Sequence, residues 1–306
     1  MLHRKALWAL GLLAAMAIAL FATPAAVWAQ GGYLDVFTVR VKPDKVADFE
    51  TVARKIADAN RHANGDRWLA MQTVYGESNT YVFTSLRTSY ADIDKAADMF
   101  MGALDKSMGK MAAQKLLNDF NDCVISSRTE LRVRRPDLSG KMPSDPQAMN
   151  EFVGKSRVLR VLALRVREGH DPEFEAMMKD INSHADSNPN TQPVFVSETI
   201  EGGRGSTYYI TFFRTSLGGF DNNPDLKDFM GNEGLAKVEK TIAEVGAGSS
   251  SAIYRFVPEL SSPPEEIAQV SPDFWQPKPP ITSMSHSKAK AEGAMAKSKP
   301  KEKTQQ

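Results

Sequence analysis

Apolar residues fall on both alternating faces of Tyr33 to Val41, with Phe37, Val39 and Val41 on one side and Leu34, Val36 and Thr38 on the other. That pattern predicts a strand covered from both sides. After Pro43-Asp44 the period changes. Val46, Phe49, Val52 and Ile56 recur at helical spacing and predict a helix that stops at Asn64-Gly65. Trp68 to Tyr75 and Thr80 to Arg87 predict two strands of a hairpin, turning at Gly76-Glu77-Ser78-Asn79. Ser89 or Asp92 is placed to cap one long second helix, whose apolar face holds Met99, Phe100, Ala103, Leu104, Met108, Met111 and Leu117. Val124 to Val133 supplies a fourth strand, ended by Pro136.

The same order then returns. Arg157 to Val166 repeats the first strand, and Asp171-Pro172 opens a helix with Phe174, Met177, Met178 and Ile181 on its apolar face. Gln192 to Ile200 and Thr207 to Arg214 form the hairpin, across Glu201 to Gly205. A helix then carries Leu226, Phe229, Met230, Leu235, Val238, Ile242 and Val245, and Ser250 to Val257 is the last strand. Three landmarks recur in order: Tyr81 to Ser89 against Tyr208 to Ser216, Phe100-Met101-Gly102 against Phe229-Met230-Gly231, and Pro136 to Ser139 against Pro258 to Ser261. Two copies of one β-α-β-β-α-β unit account for this. Each is an α+β, ferredoxin-like unit, an antiparallel sheet with helices on one face. The units span 33–136 and 157–260, joined by a polar linker at 137–156 that contains Pro143-Ser144-Asp145-Pro146. From 261 to 306 the chain is rich in Pro, Lys and Ala without apolar periodicity, which predicts a disordered tail.

The N-terminus adds a location. His3, Arg4 and Lys5 precede the apolar run Ala6 to Ala22, and Val27-Trp28-Ala29 ends the segment with small residues at the cleavage positions. Residues 1–29 therefore read as a signal peptide cut after Ala29, so the expected location is periplasmic or secreted, with no stable membrane insertion once the segment is removed. Retention of the segment as an anchor is the alternative. A formal net charge of +1 argues against a nucleic-acid binder. The one cysteine, Cys123, excludes an intramolecular disulfide and a cysteine-built zinc site, and reads as a small buried hydrophobe.

A ferredoxin-like sheet covered by helices on one face leaves a second face that here carries large apolar side chains and needs a partner. The tandem copy supplies it. The arrangement over Tyr33 to Leu260 resembles the dimeric α+β barrel superfamily, whose best-known branch is the antibiotic biosynthesis monooxygenase-like domains. The resemblance implies two units packed sheet to sheet, the fourth strand of each reaching toward the other, here as a pseudo-dimeric barrel within one chain. It leaves function open, because the superfamily includes cofactorless oxygenases, haem-using enzymes and proteins with no known activity.

Candidate site residues follow from equivalence between copies. Tyr81 and Tyr208, and likewise Arg87 and Arg214, share a face of the third strand, where a phenol could orient a ligand and a guanidinium hold its carboxylate. Core packing for the tyrosines and strand-end placement for the arginines are the competing reading. Trp68 and Gln72, matched by Pro193 and Ser197, make the first unit the roomier side. His62 and His184 sit in His-Ala-Asn and His-Ala-Asp triplets near helix ends, as possible cavity bases or as ordinary helix-end histidines. Asp35 and Arg160 occupy equivalent first-strand positions with opposite charge, an expected ion pair across the barrel. No histidine pair has ligand spacing, so no metal is expected.

The reading is thus an exported tandem α+β barrel that binds a small apolar or aromatic ligand, or a protein partner, without established catalysis. Its alternative is a cofactor-independent monooxygenase-like enzyme using Trp68, Tyr81 and His62. No cofactor is expected, with haem on His184 or His62 as a secondary alternative. The intrachain pseudo-dimer is expected to leave the protein monomeric.

Overall fold

The computed structural model describes residues 32–276. The first unit comprises β1 (Tyr33–Val41), α1 (Val46–His62), β2 (Leu69–Tyr75), β3 (Thr80–Arg87), α2 (Tyr90–Met108), α3 (Lys110–Asp122) and β4 (Val124–Arg134). Between the units lies α4 (Pro146–Lys155). The second unit comprises β5 (Val158–Val166), α5 (Asp171–Asp186), β6 (Phe195–Glu201), β7 (Thr207–Arg214), α6 (Leu226–Val245) and β8 (Gly246–Phe256). Two short helices follow, α7 (Glu265–Ala268) and α8 (Pro272–Trp275).

Within each unit the strands order as β4-β1-β3-β2 and β8-β5-β7-β6, which leaves a second and a fourth strand at the two edges. An unpaired edge exposes a row of backbone donors and acceptors. Here each edge finds the other unit. β4 pairs antiparallel with β6 from Leu131 opposite Glu201 to Arg134 opposite Ser197, and β2 pairs with β8 from Met71 opposite Phe256 to Tyr75 opposite Ile253. The eight strands therefore close into one barrel, a pseudo-dimeric α+β barrel made by a single chain. β4 and β8 are the longest strands at 11 residues each, long enough to pair within their own sheet and still cross to the other.

Alternation sorts the side chains into two environments. Facing the helices in the first unit, Val39, Phe49, Ala53 and Tyr81 form one buried cluster; in the second, Phe174, Met178, Tyr208 and Val238 form another. Between the sheets, Val36, Met71, Val82, Leu159 and Phe256 form a third.

Four expectations change. The second helix of the first unit is two helices, broken at Gly109 (φ 82°, ψ 152°), a conformation that favours glycine. The matching break in α6 is at Gly231 (φ 70°, ψ −178°), 122 residues later, the same shift that relates Pro136 to Pro258. Gly109, and not Gly102, is thus the structural counterpart of Gly231. Met111, assigned to the apolar face as if the helix ran straight, is 90% exposed beyond the break.

The linker is also structured. Asp145 caps α4 by accepting from the Ala148 amide at 2.8 Å, Pro146 occupies its first turn, and Met149 and Val153 are buried. Nor is the tail disordered from 261: α7 and α8 bury Ile267, Ala268 and Trp275 against Phe256 and α4, closing one end of the barrel. Trp275 donates its indole N–H to the Gly154 carbonyl at 2.8 Å and meets the Phe256 ring edge-on. Proline-rich composition concealed two four-residue helices too short to show periodicity. Residues 1–31, which include the segment read as a signal peptide, and residues 277–306 lie outside the described residues. Finally, Asp35 and Arg160 do not pair. Asp35 lies 3.5 Å from Arg87, whereas Arg160 is exposed and reaches Ser251.

At the junction after β4, Arg135 bonds Asp137 of its own turn, Glu175 of α5 at 2.6 Å and Glu198 of β6 at 2.7 Å. It holds the Glu175 and Asp137 carboxyls below their usual range, chiefly by direct hydrogen bonding.

Two outcomes are expected. Trp275→Ala lowers unfolding free energy by about 3–5 kcal/mol in denaturant titration, the cost of emptying a buried aromatic site; an effect below about 0.5 kcal/mol would mean that the segment is peripheral. Arg135→Gln destabilises by about 1–2 kcal/mol at neutral pH. Because the paired carboxyls titrate lower in the fold than in the unfolded chain, that contribution is present above their ordinary values of 3.8 and 4.5 and fades as pH falls through the lower folded values. Wild type and variant should therefore converge in thermal melts as the pH drops below those ordinary values.

Candidate functional site

Packing the two sheets face to face leaves a lumen of about 830 Å³. Its composition changes along the barrel axis. At the end covered by α4, α7 and α8 the wall is mostly apolar: Leu34, Leu86, Leu159, Phe213 and Phe256, with Val153 and Ile267 contributed by the cap and Arg67 and Arg132 as its charged members. At the opposite, solvent-facing end the strands present Thr38, Thr80, Thr207, Arg128 and Arg165. Register explains the gradient. Leu34 lies opposite Leu86 and Leu159 opposite Phe213, whereas toward the other end Arg40 pairs with Thr80 and Arg165 with Thr207.

The chemical centre lies on β4. Arg128, Glu130 and Arg132 alternate onto the lumen side, where the positions 122 residues later on β8 are Ser250, Ala252 and Tyr254. Glu130, 2% exposed, accepts from the Tyr209 hydroxyl at 3.0 Å and from Arg132 Nε at 3.2 Å. The Arg132 guanidinium also stacks 3.3 Å from the Tyr209 ring centroid, and Arg128 comes within 3.5 Å of Glu130. A buried carboxylate with three such neighbours is held rigidly and keeps its charge compensated. Burial, more than any neighbouring charge, pushes the phenols of Tyr209 and Tyr254 up from their ordinary range, so both are weak acids that keep their protons as hydrogen-bond donors. The arrangement orients polar groups over an apolar chamber.

The residues expected to form the site mostly face elsewhere. Tyr81 is fully buried on the helix side: its hydroxyl donates to Glu50 at 2.6 Å and accepts from Gln72 at 2.9 Å, beneath Phe49. Tyr208 repeats this under α5, bonded to Asp171 at 3.0 Å and Glu175 at 3.3 Å. Arg87 forms a two-pronged pair with Asp66, both contacts 2.7 Å. Arg214 bonds the Gly219 and Phe213 carbonyls and Asn223. Trp68 donates to the Leu260 carbonyl at 2.8 Å and meets Phe100 edge-on; of the eight, it alone also borders the lumen. His62 and His184 stand on exposed last turns, each ring Nδ1 donating to the carbonyl four residues back, at 2.7 and 2.9 Å.

The lumen residues Arg128, Glu130, Arg132 and Tyr209 were not among the candidates. One signal was available: three charged residues alternate on one face of an otherwise strand-like segment, where a solvent-facing strand and a lined cavity look alike. Among the described residues no group of three His, Cys, Asp or Glu side chains is arranged to hold a metal ion. His62 and His184 do not reach the lumen, and no described histidine or cysteine lines it, so neither histidine expected to hold a haem could ligate one bound there.

No family model and no curated protein sequence matches this chain. Solved structures of similar shape include an anthrone oxidase-like protein, with 12% identity, coverage of 74% of this chain and 92% of that one, and a TM-score of 0.49. Others are a heme-binding protein from Thermus thermophilus (12% identity, 76% and 94%, 0.42) and a chlorite dismutase from Candidatus Nitrospira defluvii solved with imidazole (9% identity, 81% and 96%, 0.42). The α+β barrel architecture itself stands on the closed strand order and the crossed pairing of the fourth strands.

Removing the helix-side hydroxyls separates structure from site. Tyr81→Phe and Tyr208→Phe should each cost about 1–2 kcal/mol of stability in denaturant titration by stripping a bond from a half-buried carboxylate. Both should leave lumen occupancy, read by native mass spectrometry, unchanged. Loss of a bound molecule in either variant would relocate the site to the helix side.

Proposed function

We propose that the protein is a small-molecule binder that takes a mostly apolar or aromatic ligand into the barrel lumen without turning it over. The observation that carries this reading is the chamber itself: about 830 Å³, apolar at its capped end and fixed in shape by two sheets and the Glu130–Arg132–Tyr209 cluster. Ligand sites of about 300–1,000 Å³ with a few well-placed polar groups are the usual form for drug-sized molecules. The cluster supplies donors and a fixed charge. It supports orientation of a ligand better than proton transfer, since both lumen phenols hold their protons tightly.

The reading includes export, on the strength of the N-terminal sequence alone, and a monomer whose barrel is completed within the chain. Cofactor-independent oxygenation is the alternative that the sequence resemblance raised. The helix-side placement of Tyr81 and the exposed position of His62 take away two of the three residues assigned to it and leave Trp68 at the lumen.

Native mass spectrometry of the mature protein, followed by ligand titration, tests this. Ala163→Trp, which drives an indole into the lumen, should reduce binding of any retained or titrated apolar molecule at least tenfold while the melting transition persists. Unchanged binding would place the ligand elsewhere. Oxygen uptake with a panel of phenols and quinols, abolished by Ala163→Trp, would replace the binding reading with an enzymatic one.

A further inference from the structure

The lumen's charge is unbalanced, and apart from Arg67 at the capped end the excess gathers at one end. Its two glutamates are both engaged: Glu130 by Arg132 and Tyr209, and Glu77 by Arg40 at 2.9 Å. Arg128, Arg165 and Arg204 remain around the solvent-facing mouth. Arg128 contacts Glu130 only at 3.5 Å, with 54% of its side chain exposed, and Arg165 spends one nitrogen on the Ala247 carbonyl. A guanidinium presents five donors, so both retain free prongs. The opposite end holds Leu159, Phe213, Phe256 and the cap residue Ile267. Fixed positive charge at the mouth of a low-dielectric chamber focuses potential onto an anion.

From this we infer that the ligand is an amphipathic organic anion. Its apolar body lies toward the capped end, and a carboxylate or sulfonate meets the arginines at the mouth. This rests on the lumen being the ligand site and narrows what that site accepts. The pseudo-symmetric position of Arg128, at the same mouth, is Ser250, so the equivalent strand position on the opposite wall carries no matching arginine.

The test uses one apolar body with two heads, 1-pyrenebutyrate and 1-pyrenebutanol, titrated into the mature protein by fluorescence. The acid should bind at least about tenfold more tightly than the alcohol at low salt. That preference should shrink between about 0.05 and 0.5 M ionic strength. Arg128→Gln, at an exposed side chain with little bearing on folding, should bring the acid within about threefold of the alcohol and leave the alcohol's affinity unchanged; Arg128→Gln with Arg165→Gln should erase the preference. Equal affinity of the two probes, or a preference that survives the double variant, overturns the anion assignment while leaving the lumen as a neutral-ligand site. Failure of both probes to bind, or binding that Ala163→Trp does not disturb, removes the lumen reading as well.

Discussion

The structure depends on how four sheet edges are satisfied. Each unit ends its sheet on a second and a fourth strand, and neither edge can remain open in water without inviting another chain. The 11-residue β4 and β8 cross the gap and add to the other unit's second strand, so every edge in the barrel is paired. That closure also brings the two uncovered sheet faces together. They cannot collapse fully, because a closed eight-stranded sheet has a fixed bore. The lumen is what remains after the edge problem is solved, and its shape is as rigid as the hydrogen bonding around it.

Two faces of the same strands differ between the copies in consequence. On the helix side both copies keep one device: a third-strand tyrosine under the first helix, bonded to a carboxylate of that helix, Tyr81 to Glu50 and Tyr208 to Glu175. It anchors helix to sheet in each unit, and losing it would loosen either half. On the lumen side the copies agree at Leu34 and Leu159, Val36 and Val161, Thr80 and Thr207, and Thr84 and Thr211, and part at the polar cluster. Val82 stands where Tyr209 does, and Ala252 where Glu130 does. Packing constrains the first face in both units alike, whereas the second is free to diverge where it builds the polar cluster.

That division explains what could be read from residues alone. The repeat and the order of its elements were legible because periodicity and turn residues are local signals, whereas barrel closure came from the resemblance to the dimeric α+β barrel superfamily. The choice of face was not. With apolar side chains on both sides of β1 and β3, alternation groups Tyr81 with Arg87 and Val82 with Thr84 but cannot say which group meets the helices. Equivalence between copies then favoured the shared tyrosines and arginines, which is a signature of common scaffold. The residues that differ, Arg128, Glu130 and Arg132 against Ser250, Ala252 and Tyr254, were those that form the cavity's polar cluster. The cap was hidden for another reason: α7 and α8 are single turns, and Trp275 gains its burial from Phe256 and Gly154, distant in sequence.

Fusion of the two units into one chain gives this asymmetry a physical meaning. In a symmetric dimer of the first unit, the β4 sequence would enter the lumen twice, placing two buried glutamates and four arginines around one chamber. Compensating all six in a low-dielectric space demands geometry that leaves little room for a guest. A single chain is free of that duplication. β8 contributes Ser250, Ala252 and the ring of Tyr254 in place of the second set, and the space those charges would have filled stays open. One strand then carries the polar cluster, the opposing strand carries volume, and the two walls of the chamber differ in a way that those of a symmetric pair could not.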